Sequence, residues 1–367
     1  MTTRIGVVGC GFIGGLHSFV LGALIRGGLV DAAVVATLDT DPARATRTAE
    51  AHGATAYEEL DALVDAVDAV WVCTWTAEHA AVVAAAVERG RAVFCEKPLA
   101  TTLDECEVVA ALLEQVPHQV GLVLRHAPVF RALADAVGSV RHGRPLATVL
   151  RDDQYFPVQG MYGSDWRADV TKAGGGTLIE HSIHDLDVLR WILGDPSWVR
   201  ADIAGLSGHP GIDDVASVTL GFADGSLATL MSVWHQVMSR PSTRRFEVFC
   251  ERALLWCDDD HLGPLHVDAS GGEELVVGEL PIWVDRLGVP SDVAGAIAQY
   301  AVPTKAFLDA LQADGAGAAG WPDAATALAA HRLVDAAYRS AAAGGDAIPL
   351  DGPDHGGSGA PGAPGAR

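Results

Sequence analysis

Three short stretches of this 367-residue chain carry residue types that could do chemistry together: Gly9-Cys10-Gly11-Phe12-Ile13-Gly14, Glu96-Lys97-Pro98, and the run from Gly174 to Gly194 that holds Glu180, His181 and His184. In the first, Gly9 permits a tight turn, Gly11 lets backbone approach a pyrophosphate, and Gly14 allows close contact between helix and strand. Phe12 and Ile13 open that helix, whose N-terminal amides favour an anion. A glycine-rich turn without a ligand uses the same residues, but Asp39 closes the next strand-like run. A carboxylate there accepts hydrogen bonds from ribose hydroxyls and repels a 2′-phosphate. NAD is therefore expected, with NADP less favoured. Thr40 adds no positive charge, and Arg44 is the nearby residue that a rearranged loop could turn towards NADP.

Thr74-Trp75-Thr76-Ala77-Glu78-His79 and Cys95-Glu96-Lys97 both follow strand-like runs, and doubly wound sheets place ligands at the carboxyl ends of their strands. Thr74, Trp75, His79, Glu96 and Lys97 are accordingly expected near the cofactor. A partly desolvated lysine beside oxidised nicotinamide has its charged form disfavoured and can take a proton near neutrality, so Lys97 is a candidate base. In the third stretch Glu180, His184, Asp187 and Trp191 are spaced to share one face of a single helix near 176–193, while Ile179, Ile183, Leu186, Leu189 and Leu193 line another. On that reading Glu180 orients the His184 imidazole and stabilises its protonated form. Glu180, His181, His184, Asp185 and Asp187 also crowd together in sequence, but Glu-His-x-x-His is not a zinc-hydrolase order, and no metal is expected.

The elements that must position these groups are legible as a rhythm. Apolar runs at Ile5–Val8, Val34–Leu38, Ala69–Cys73, Ala92–Cys95 and Gln119–Leu124 alternate with stretches of helical length, the pattern of a doubly wound parallel sheet over residues 1–125. Asp41-Pro42 reads as a helix start, and Gly53 and Gly90 as stops. Longer strand-like segments near 146–156, 198–206, 214–222, 226–238 and 243–249 predict a mostly antiparallel second domain over 126–350, closed by a helix near 322–343. Residues 351–367, dominated by Gly and Pro, are expected to be disordered.

Composition narrows the classes. A formal charge of −22 repels nucleic acid and anionic membranes, and no apolar run is long enough to span a bilayer. No secretion signal is read at the N-terminus, and six cysteines without a Cys-x-x-Cys pair suggest neither a disulfide framework nor a zinc knuckle. A reducing cytoplasm is expected.

The order of these motifs, from Gly6 to about Leu350, resembles the Gfo/Idh/MocA family of glucose–fructose oxidoreductase and inositol dehydrogenase relatives. Gly9–Gly14, the His79 segment, Glu96-Lys97-Pro98, the triple glycine leading to His184-Asp-Leu-Asp187, and a last helix with Ala336-Ala-Tyr-Arg-Ser340 all fall in sequence. The resemblance implies a Rossmann domain joined to an α/β domain whose large open sheet often builds dimers or tetramers. It implies NAD(H)-dependent transfer of hydride to or from a secondary alcohol of a sugar, glycoside or cyclitol, with Lys97 and His184 flanking the reacting carbon. The Asp one turn before that histidine is Glu180 here, and Trp75 stands where relatives often have Pro, placed to stack near the nicotinamide or narrow the pocket. Arg125, Tyr155, Trp166, Arg167, His181 and His235 are expected to join Lys97 and His184 around the substrate, because a polyol needs several convergent donors and acceptors. Two other classes occur among relatives: glycoside cleavage by transient oxidation and elimination, and non-catalytic NAD-binding regulation.

Overall fold

The computed structural model describes residues 1–160, 162–314 and 320–350; the tail expected to be disordered lies outside them. The first unit runs β1 (Thr3–Val8), α1 (Phe12–Arg26), β2 (Ala32–Leu38), α2 (Pro42–His52), β3 (Thr55–Ala56), α3 (Leu60–Ala66), β4 (Ala69–Val72), α4 (His79–Glu88), β5 (Ala92–Cys95), α5 (Leu103–Leu113) and β6 (His118–Val120). Its six strands are all parallel in the order β3-β2-β1-β4-β5-β6. Covered on both faces, β4 and β5 are buried at every position, which is why they read as unbroken apolar runs. Asp41 caps α2 by accepting from the Ala43 amide at 2.9 Å, and Gly53 ends it at φ +66°. The strand expected over Gln119–Leu124 stops at Val120, and a 3₁₀ turn over Val123–His126 leads into the second unit.

That unit contains α6 (Pro128–Gly138), β7 (Pro145–Tyr155), α7 (Val170–Ala173), α8 (Thr177–Glu180), α9 (Ile183–Leu193), β8 (Trp198–Ala204), β9 (Val215–Gly221), β10 (Leu227–His235), β11 (Thr243–Cys250), β12 (Ala253–Cys257), β13 (Leu265–Ala269) and β14 (Gly272–Val276). It is completed by α10 (Ser291–Asp314), α11 (Ala324–Ala342) and β15 (Ile348–Pro349). Nine strands form one sheet in the order β14-β13-β12-β11-β7-β10-β9-β8-β15, antiparallel except for the β7–β10 pair. Helices α6, α9 and α11 cover one face, where Leu186, Leu189, Phe246, Val218 and Leu333 share a core. The opposite face leaves Val149, Leu227, Met231 and Phe249 exposed.

The helix expected over 176–193 is broken. Asp213 fixes the start of α8, its carboxylate accepting from the amides of Gly176 (2.7 Å) and Leu178 (3.0 Å), and a Cβ on Gly176 would overlap the Asp213 backbone. The chain then widens so that the Ser182 amide bonds back to the Thr177 carbonyl at 2.8 Å. The Ser182 hydroxyl meanwhile reaches Ser232 Oγ at 2.6 Å, and α9 starts afresh at Ile183. Glu180 and His184 therefore do not share one helical face.

Candidate active site

The glycine turn follows β1 and abuts the loop after β4. Gly9 sits at φ +91°, where a Cβ would strike the Cys73 backbone, and a Cβ on Gly14 would overlap the Gly9 carbonyl oxygen. Gly11 instead faces open space, the nearest atom to a Cβ there being Arg44 Nη1 at 3.9 Å. Helix α1 has neither a side-chain cap nor an acid in its first turn, which leaves its terminal amides for an anion. Asp39 accepts from the Cys10 amide (2.6 Å) and the Asp41 amide (2.8 Å), which pins its carboxylate against the turn; Thr40 beside it is exposed. Thr74 Oγ1 is buried at the cavity without a protein partner. An uncapped helix end, a carboxylate beside it and an orphaned hydroxyl fit a nicotinamide dinucleotide. When bound, that cofactor supplies a ring that accepts or returns a hydride.

Beyond Thr74 opens a cavity of about 130 Å³, close to the roughly 150 Å³ that accepts one six-membered carbon ring. Phe12, Ile13, Thr74, Glu96 and Lys97 reach it from the first unit, and Trp166, Arg167, Glu180, His181 and His184 from the second. Buried Glu96 meets His17 Nε2 at 2.7 Å and accepts from the Lys97 amide at 3.1 Å. Burial alone would raise its pKa, but His17 and Lys97 outweigh burial and hold it below the usual carboxylate value. Lys97 Nζ donates to the Glu180 carbonyl at 2.6 Å. Burial lowers the pKa of that amine against the opposing pull of Glu180 and Glu96. His184 is pushed well down by burial, then by Lys97, His181 and Arg244, so its ring is neutral at physiological pH.

Glu180 serves other partners than those expected. Its carboxylate accepts from Thr76 Oγ1 at 2.7 Å and from Arg167 Nε at 3.0 Å, and no hydrogen bond joins it to His184 among the described residues. The longer side chain and the break after α8 carry it across to the loop after β4, where it ties the two units together. Arg167, stacked on Trp166 with 4.4 Å from Cζ to the ring centroid, also donates to Ser164 Oγ at 2.9 Å.

Several other expected contacts lie outside the cavity. Arg125 is buried in a two-pronged pair with Asp187 at 2.7 and 2.6 Å and lies against Trp191 and Trp321, so its charge is already matched. His79 packs between two loops with Nδ1 2.7 Å from the Pro98 carbonyl and Nε2 3.2 Å from that of Thr74, a tie between the loops after β4 and β5. Trp75 lies against Lys172, with Nζ 5.1 Å from its ring centroid, and the smaller Thr76 takes the cavity wall. Tyr155 packs on Tyr162, and His235 turns to Asp153 and accepts from the Val237 amide at 3.0 Å. Of the acidic and histidine residues crowded over 180–187, Glu180 turns to Thr76 and Arg167, Asp187 to Arg125, and His181 and Asp185 both meet Arg244.

The cavity also holds Thr76, which no role had been assigned to, and Val123, Gln154, Pro157, Tyr162, Trp234 and Tyr300, which carried no motif. Thr76 lay inside a flagged segment. Tyr300 comes from α10, whose internal Pro303 hides a 24-residue helix from a pattern reading.

Residues 3–123 match the family model described as an oxidoreductase family with an NAD-binding Rossmann fold, Gfo/Idh/MocA, and residues 130–255 match the Gfo/Idh/MocA C-terminal domain. An inositol 2-dehydrogenase from Ralstonia nicotianae is 32% identical over 354 residues, covering 92% of this chain and 94% of that protein. A 1,5-anhydro-D-fructose reductase from Ensifer adhaerens is 34% identical over 233 residues, 61% of this chain and 67% of its own. The structure of a levoglucosan dehydrogenase with NADH and levoglucosan shares the fold, with a TM-score of 0.81 over 96% of this chain and 100% of that one at 20% identity. The chain belongs to the Gfo/Idh/MocA family of NAD-binding oxidoreductases. Among the described residues no helix is long and apolar enough to cross a membrane.

Proposed function

We propose that this oxidoreductase moves a hydride between NAD and a secondary alcohol or ketone of a ring polyol, a cyclitol or a sugar. The observation that carries the reading is the convergence of Lys97, His184 and the Trp166–Arg167 pair on a ring-sized cavity at the mouth of the glycine turn. Relatives named for inositol and for an anhydrosugar support a cyclic polyol. The Lys97 amine, whose pKa burial lowers, takes the hydroxyl proton in the oxidising direction, and His184 is the second acid–base group. Trp166 offers a face to sugar C–H bonds, and Arg167 offers donors to hydroxyls.

A screen of inositols, hexoses and anhydrosugars for NADH formation tests the reading, which fails if none is oxidised and none of the matching ketones is reduced. Asp39→Ala should erode the preference for NAD over NADP, because the carboxylate that repels a 2′-phosphate is gone; comparing kcat/KM for the two cofactors measures it. An unchanged ratio would remove that role.

The two units divide at about 125/126 in this reading, the first holding cofactor and the second substrate. The exposed face with Val149, Met231 and Phe249 supports assembly into a homodimer or homotetramer. Met231→Glu should shift light scattering to a smaller species, and a wild-type chain that is already monomeric would refute the assembly.

A further inference from the structure

Helix α1 leaves the glycine turn carrying His17, about a turn and a half beyond Phe12. The ring is fully buried, with centroids 4.8 Å from Phe94 and, edge-on, 5.7 Å from Tyr300. An apolar side chain would serve that packing, and burying an imidazole costs free energy that only a hydrogen bond offsets. Nδ1 has no protein partner, so the ring's one polar contact among the described residues is Nε2 to Glu96 Oε1 at 2.7 Å. A carboxylate only accepts, so Nε2 carries the hydrogen and donates it.

Glu96 is fixed from three sides. His17 donates to Oε1, and the Lys97 amide donates to Oε2 at 3.1 Å. On the third side Gly121, just past β6, leaves the room the carboxylate fills: a Cβ there would lie 2.6 Å from Oε1 and 2.9 Å from Oε2. The Gly121 amide is itself tied to the Cys95 carbonyl at the end of β5, at 2.8 Å. Glu96 is buried, yet it lines the cavity together with Lys97, whereas His17 stands behind it and does not reach the cavity.

We infer that His17 is a positioning residue for the lysine base: by gripping Glu96 from behind, it fixes the backbone from which the Lys97 amine projects and keeps a negative charge on the wall they share. The inference rests on the alcohol-oxidising reading above, in which that amine takes the hydroxyl proton. Burial works against the Glu96 charge, and the His17 hydrogen bond is foremost among the contacts that hold it. Tyr300 of α10 and His79 of α4 also face that charge. The amine is faced from several elements. Burial lowers its pKa most; Glu180 of α8 and Glu96 raise it, and Arg167 and Arg244 of β11 lower it. His181 and His184 line the same cavity. Without the His17 donor, Glu96 takes a proton more readily, the amine loses a negative neighbour, and its pKa falls further. The oxidative rate, which rises with pH as the amine becomes neutral, then has its midpoint at lower pH.

The test follows kcat and kcat/KM for polyol oxidation across pH in full-length wild type and variants. His17→Leu keeps the volume and removes the donor. Its midpoint should fall by about one pH unit, the low end of what a neighbouring opposite charge contributes, with a lower plateau because the base is weaker. His17→Gln keeps a donor and should return the midpoint close to that of wild type. Adding His17→Leu to Glu96→Gln should move the Glu96→Gln midpoint no further. A merely structural histidine would lower the rate in His17→Leu and leave the midpoint in place, which overturns the inference. An equal shift in His17→Gln, or a further shift in the double variant, overturns it too. A second readout needs no turnover. The chain has three lysines, Lys97, Lys172 and Lys305, and the pH dependence of their acetylation by acetic anhydride, read by mass spectrometry, gives the midpoint of each. His17→Leu should lower that of Lys97 alone, and an unmoved Lys97 midpoint overturns the inference. A wild type that oxidises no polyol refutes the alcohol-oxidising reading instead, and acetylation then decides on His17.

Discussion

Lys97→Met should lower kcat/KM for polyol oxidation by about 1000-fold, within the range of roughly 100- to 10,000-fold that a positioned proton acceptor contributes. Methionine keeps most of the volume and the apolar stem, so what is lost is the amine. That amine is the cationic group of the first unit that meets His181 and His184 at the cavity, anchored by its 2.6 Å bond to the Glu180 carbonyl. The sign of its pH dependence follows from burial, which lowers its pKa from the usual 10.5. In the proposed reaction the neutral amine is the base, so the oxidative rate should rise with pH through a midpoint below that of free lysine, and the reductive rate should fall. Initial rates of NADH formation and consumption across pH measure both. Cofactor affinity by calorimetry should change little, because in the proposed binding mode Lys97 stands at the nicotinamide end while the glycine turn and Asp39 hold the rest. A Lys97→Met enzyme within a few-fold of wild type would remove Lys97 from the chemistry.

What the sequence shows of this site and what it hides have physical causes. Gly9 and Gly14 are readable because each meets a steric demand that no other residue satisfies, and those demands are local to one turn, whereas Gly11 between them faces open space. Strands β4 and β5 are readable because burial on both faces allows only apolar side chains. Lys97 is readable from its place at a strand end. The partner of Glu180 is not, because helical spacing assumes an unbroken helix. The break at His181 and Ser182 is set by Asp213 and Ser232, 33 and 50 residues beyond Glu180 and Ser182 in the chain, through tertiary hydrogen bonds. Arg125 misleads for a related reason: a charged residue at a strand end looks available until the fold brings Asp187 against it. Gln154, Trp234 and Tyr300 arrive from β7, β10 and α10 by topology alone. Strands β12 to β14 escaped because their short runs are broken by Gly263, Pro264, Gly271 and Gly272.

Asp187→Ala should lower the unfolding free energy by about 3–5 kcal/mol, the cost of leaving one partner of a buried ion pair unmatched. The pair is well shielded: Arg125 Nε and Nη2 meet the two Asp187 oxygens at 2.7 and 2.6 Å, and side-chain exposure is 6% and 1%. The guanidinium lies 5.7 Å from the Trp191 ring centroid and 5.1 Å from that of Trp321, so water cannot replace the lost carboxylate without parting the aromatic rings. The pair also fastens the 3₁₀ turn at the end of the first unit to α9, the helix that begins at Ile183 and carries His184. Its loss should loosen the cavity from behind, raising KM more than it lowers kcat at temperatures where the variant stays folded. Arg125→Met should be milder than Asp187→Ala, because the carboxylate left behind at Asp187 can take a proton and the methionine stem can fill the space between the tryptophans. Denaturant titration and steady-state kinetics on both variants separate the two roles. A stable Asp187→Ala enzyme with an unchanged unfolding midpoint would show that Arg125 has another partner, and a selective collapse of substrate binding in Arg125→Met at full stability would return it to the substrate.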